Sequence, residues 1–159
     1  MRRPLVVLPV LLALVVAGCG GGSDDKPASK IEYGRQLAIA SQTLQKTFAQ
    51  ISAQTGTGTT TKQIAQRLDR GAGALGDAAD KFAAITPPTV AKADHQKLVD
   101  GLNELADVFR KGSAAAKKND TANLTKALQG LSTSEGVQKV NEAQADLKTK
   151  GIEVTRTGK

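Results

Sequence analysis

From about residue 31 onward, apolar residues recur at intervals of three and four, the spacing of one helix face rather than the alternation of a strand. Leu37, Leu44, Phe48 and Ile51 make a first stripe across roughly residues 31–54. Thr55-Gly56-Thr57-Gly58-Thr59-Thr60 interrupts it. Thr60, with Gln63 three residues later, forms a capping box that opens a second helix, whose stripe is Ile64, Leu68, Ala72, Leu75, Ala79, Phe82 and Ile85. Thr86-Pro87-Pro88 stops that helix and starts the next, because proline has no N–H to lose in a first turn and pushes its predecessor out of helical geometry.

The third stripe is Leu98, Leu102, Leu105 and Phe109, with Val90 and Ala91 ahead of it. Lys117-Lys118 places basic residues at its negative end, and Asp120 is the next N-cap. The fourth segment, with Leu124, Leu128 and Leu131 and then Val137, Val140 and Leu147, slips out of phase near Ser132. Ser132 and Glu135 have capping-box spacing, which predicts a kink or short break there. Four segments with short connections imply antiparallel neighbours. The expected fold is an all-α, up-down-up-down four-helix bundle over residues 31–152, with a polar C-terminal tail at 153–159. In that topology Phe48 and Phe109 share one end layer, and Phe82 lies near the opposite end beside the Pro87-Pro88 turn.

The first 30 residues do not follow this pattern. Arg2-Arg3-Pro4 precedes an apolar run from Leu5 to Ala17, a signal-peptide layout. The run is about thirteen residues, short of the roughly twenty that a membrane-spanning helix needs. Val16-Ala17-Gly18-Cys19 follows, and it resembles the lipobox of bacterial lipoprotein precursors: an aliphatic residue, two small residues and the motif's cysteine. The resemblance implies a signal peptide over residues 1–18, cleavage between Gly18 and Cys19, and lipidation of Cys19, including a diacylglycerol on its sulfur. Each acyl chain contributes burial at about 0.8 kcal/mol per CH₂, and two chains anchor stably where one is marginal. Residues 19–30, rich in Gly, Ser and Asp, read as a flexible tether reaching about 20 Å. The chain is thus expected at the extracytoplasmic face of the cell membrane. The Ile85-Thr86-Pro87-Pro88 turn before a His-bearing helix is also similar to small helical lipoproteins of GC-rich Gram-positive bacteria, a resemblance that implies no activity.

Composition narrows the chemistry. The 159 residues hold one Cys, one His, no Trp, one Tyr and three Phe. A disulfide framework or a structural zinc site cannot be assembled from that inventory. Gly71-Ala72-Gly73-Ala74-Leu75-Gly76 spells G-x-G-x-x-G, and Asp94 follows at a suggestive distance. That pattern binds dinucleotides only in a strand-to-helix turn, and here it lies inside the second helical stripe, where small-residue packing is expected. His95 lacks an evident catalytic partner and is expected to cap or pack near the Pro-Pro turn. The carboxylates Asp77, Asp80, Asp100, Glu104 and Asp107 share helix faces with basic neighbours and read as ion-paired solvated surface, not as a metal site.

The formal charge is +7. The basic residues are dispersed over all four segments and stacking aromatics are nearly missing, which argues against nucleic acid. Arg110-Lys111 with Lys117-Lys118, and Lys148 and Lys150 with Arg156 and Lys159, form denser groups suited to anionic headgroups or wall polymers. The expected function is therefore a non-enzymatic, lipid-anchored envelope protein without a cofactor. Its helical domain would bind an envelope protein or an anionic polymer; the alternative is a carrier of a small apolar or haem-like ligand held between helices.

Overall fold

In the computed structural model, residues 29–53 and 60–154 are described. They form α1 (Lys30–Ala53), α2 (Thr61–Ala83), a 3₁₀ turn (Thr89–Ala91), α3 (Lys92–Lys117), α4 (Thr121–Gly130) and α5 (Glu135–Thr149). No strand occurs among the described residues. The fold is an all-α bundle, with α3 at its centre packing against α2, α4 and α5, and with α1 laid along α2.

The helix boundaries follow from local chemistry. Ser29 Oγ accepts the Glu32 N–H, so α1 starts at Lys30, one residue before the expected edge. Thr60 and Gln63 exchange the two bonds of the capping box. Asp120 accepts the Asn123 N–H at the start of α4. The break in the fourth segment is present, but its cap is Ser134, whose Oγ accepts the Val137 N–H; the Ser132–Glu135 box does not form. Glu135 is the first residue of α5, so it sits at N1 of a helix capped by Ser134 and not at the N3 position that a box requires.

Alpha4 and α5 together run antiparallel to α3 as one interrupted rung. Gly112 of α3 lies near Ala127 of α4, whereas Gly101 faces Gly136 at the start of α5. These two glycines set the closest backbone approach in the bundle's centre: a Cβ on Gly101 would fall 2.8 Å from the Gly136 carbonyl oxygen, and one on Gly136 2.7 Å from that of Gly101. At the far end Asn119 takes φ 55°, and its N–H and that of Asp120 return to Ala116 and Ala115 in a Schellman closure. Gly151, at φ 71°, closes α5 in the same way, with Ile152 N–H bonded to Leu147 O.

The phenylalanines fall as the topology requires. Phe48 and Phe109 meet edge to face with centroids 6.1 Å apart. Phe82 is buried with Leu37, Leu75 and Leu98 toward the other end. Gly71 and Gly73 lie within α2: Gly71 lies beneath the Phe109 ring, which a Cβ would reach at 2.6 Å, and Gly73 faces open space. Two apolar stripe positions are surface-exposed, Val90 in the 3₁₀ turn and Leu128 on α4.

Candidate binding cleft

Alpha1 rests on α2, and α5 rests on α3, and the segment leaving α5 meets α1 at the base of the bundle. There Lys30 Nζ donates to the Lys150 carbonyl oxygen at 2.8 Å. Beside that contact the chain leaving α5 crosses α1 at Gly34, where a Cβ would run into the Glu153 carbonyl oxygen. This crossing is the position at which glycine is needed for the tail to close over the bundle's base.

Above the closure the two helices leave a cleft of about 560 Å³. Its depth is lined by Leu37 from α1, Phe82 from α2, Leu98 and Leu102 from α3, and Leu147 from α5. Ile152, turned inward by the Schellman closure, lines its lower end. Leu44, Val140 and Val154 continue the apolar surface, and Ser41, Gln45, Gln144, Lys148 and Glu153 contribute the polar lining. An apolar interior with a few polar groups, at a volume within the roughly 300–1,000 Å³ of ordinary ligand sites, is the form of a small-molecule pocket. The two aromatic rings of α1 do not fill the gap, because Tyr33 is engaged with His95 and Phe48 packs on Phe109.

A buried polar cluster holds the same end together. Tyr33 is fully buried, and its hydroxyl lies 2.9 Å from His95 Nδ1. The imidazole accepts in one tautomer and donates in the other. Burial, with the Asp94 charge nearby, pushes the Tyr33 pKa far up, and burial pushes the His95 pKa down. Both groups are therefore neutral at pH 7. Asp94, 3% exposed, pairs with Lys150 at 2.5 Å. The cluster ties the first turn of α1 and the end of α5 to the start of α3, a role in positioning the cleft and not in lining it.

A lattice of surface ion pairs dresses the helices. Lys97 of α3 reaches Glu142 and Asp146 of α5, and Lys139 bridges Glu104 and Glu135. Those two carboxylates, hydrogen-bonded to its ammonium, raise the Lys139 pKa. Of the carboxylates singled out in the sequence, Glu104 and Asp107 are in salt bridges, the latter with Arg110, and Asp100 accepts from Gln96. No group of three or more metal-ligating side chains occurs among the described residues.

Gly18 and Cys19 lie outside the described residues. No described helix is long and apolar enough to cross a membrane. Comparison with protein-family models, curated proteins and solved structures finds no match to this chain.

The sequence pattern singles out neither Tyr33 nor the pair of helices between which the cleft lies. Tyr33 falls four residues before Leu37 on the first stripe, so its face was available from periodicity. Its partner, 62 residues away, was not.

Proposed function

We propose that the chain is a lipid-anchored protein of the cell envelope whose bundle binds a small apolar molecule in the α1–α5 cleft and performs no chemistry on it. The observation that carries this reading is the cleft itself, an apolar interior that opens between two helices at the end of the bundle from which the tether departs. The lipobox Val16-Ala17-Gly18-Cys19 supplies the anchor. A haem-like occupant is disfavoured because the sole histidine is engaged with Tyr33 and does not line the cleft. An acyl chain or similar flexible hydrocarbon suits the space better.

Two measurements test the reading. Intact-mass analysis of the membrane fraction should find a chain starting at lipid-modified Cys19; an unmodified thiol there contradicts the anchor. Titration of the full chain with a fluorescent fatty acid should saturate at one molecule per chain, and Leu44→Trp, which fills the upper cleft, should weaken binding at least tenfold. Binding that ignores the substitution contradicts the cleft.

A further inference from the structure

The fold spreads the basic residues evenly along the bundle but gathers the acidic ones at one end, which leaves the other end with uncompensated positive charge. Cut α1, α2 and α3 at their midpoints, assign α4 to the half of α3 it packs on, and α5 to the other. The half distal to the α1 N-terminus then holds residues 42–53, 61–72 and 105–134, with nine Lys and Arg against three Asp and Glu. The remaining described residues hold eight against ten. One half thus carries +6 and the other −2, an axial polarity that antiparallel packing produces from evenly spread charges.

At the positive end α3 and α4 enclose a second cleft of about 500 Å³. Ala114, Ala115 and Ala127 give it an apolar lining, and Lys111, Lys118 and Lys126 line it together with one carboxylate, Asp120, so the lining carries a net +2. None of these three lysines is in a salt bridge among the described residues, although Lys118 helps hold the Asp120 carboxyl below its usual range. The other cations at this end are partly spent: Lys117 pairs with Asp69 and Arg110 with Asp107.

The geometry points to this α3–α4 face as the docking surface for a base-free polymer of repeated phosphodiester groups. Three ammonium groups around one shallow cleft match successive anionic units, with Debye screening at about 8 Å leaving only neighbouring charges to act together. Nucleic acid fits less well, since stacking platforms are lacking: Tyr33 and Phe82 are buried, and Phe48 and Phe109 pack on each other. Membrane headgroups also fit less well. On the anchored reading above, the negative half stands toward the bilayer and the positive half begins about 18 Å along the bundle and ends about 36 Å along it, the length of the 24 residues of α1. Only this orientation rests on that reading; the charge complementarity does not.

The test uses the full chain in neutral detergent micelles and poly(glycerol phosphate) as the probe. Binding is expected, with affinity falling roughly twenty- to fortyfold between 50 and 200 mM salt, as release of counterions by about three contacts requires. Lys111→Gln, Lys118→Gln and Lys126→Gln combined should cut affinity at least tenfold. Lys30→Gln, Lys81→Gln and Lys92→Gln, the same charge removed from the other half, should change it less than twofold, with helical content kept in both variants. Equal losses from the two triple variants would overturn the proposal, as would no binding, or tighter binding to anionic phosphatidylglycerol vesicles or to poly(U). These results leave the Cys19 mass measurement untouched, so the anchor and the docking surface fail separately.

Discussion

Gly136→Ala asks directly whether α3 and α5 meet backbone to backbone. In the wild-type chain the two helices cross where Gly101 and Gly136 face each other, and a methyl at position 136 would lie 2.7 Å from the Gly101 carbonyl oxygen and 3.0 Å from both the Leu105 amide nitrogen and its Cγ. Two of those three atoms are backbone, so rotamer changes cannot relieve the contact and the helices must part. Overpacking of this kind costs about 1–3 kcal/mol, and the upper part of that range applies where backbone must move. Alanine returns about 1 kcal/mol of helix propensity. The expected net loss is about 2 kcal/mol, or roughly 8 °C in Tm for a domain of this size.

Gly73→Ala is the internal control. It makes the same chemical change within a helix, but the new Cβ meets nothing. It should therefore stabilise the protein by up to about 1 kcal/mol. Urea and thermal denaturation followed by circular dichroism would read both variants, and the Gly101→Ala/Gly136→Ala double variant should lose less than the sum, because the first methyl already separates the helices. A neutral or stabilised Gly136→Ala would refute the crossing.

Three other expectations follow from the base of the bundle. Because burial keeps the His95 pKa below its ordinary 6.5, the unfolded chain takes up a proton below that pH that the folded chain refuses; stability is complete above about 6.5 and declines as the pH falls toward the folded value. Melts at about pH 7.5 and 5.5 should show this decline, and His95→Phe should flatten it; an unchanged slope in that variant would assign the effect elsewhere. Tyr33→Phe leaves His95 Nδ1 buried without its partner and should cost about 1–3 kcal/mol by urea denaturation at pH 7.5. Lys150→Ala leaves the buried Asp94 carboxylate unpaired; since the Lys150 side chain is 36% exposed, the loss should be about 1–2 kcal/mol, below the 3–5 of a fully buried pair, and equal stability of the variant would contradict the tie.

The helices were legible in the sequence because each rests on local rules: three-four stripes, the Thr60–Gln63 box, the Pro87-Pro88 stop and the Asp120 cap all act within a few residues. The end layers of Phe48, Phe109 and Phe82 were legible because antiparallel order fixes them once helix lengths are known. What was not legible depends on distance in the chain. Gly101 and Gly136 are ordinary helix glycines until they are seen to face each other. Ser132 and Ser134 both precede α5 and differ only in which reaches the open N–H groups. The aliphatic residues of the cleft carry the same stripe signal as a closed core, because periodicity says which face is apolar and not whether a neighbour covers it. The charge polarity is likewise a property of helix direction, which no single window contains.

The central claim, an apolar ligand seated between α1 and α5, is tested most directly by photo-crosslinking the full chain with a diazirine-bearing fatty acid and mapping the labelled residues. The account predicts adducts concentrated on Leu44, Val140 and Val154 along the cleft, suppressed by excess unlabelled fatty acid. Labelling centred instead on the exposed Leu128 of α4, or spread evenly over the surface and insensitive to competitor, would contradict it.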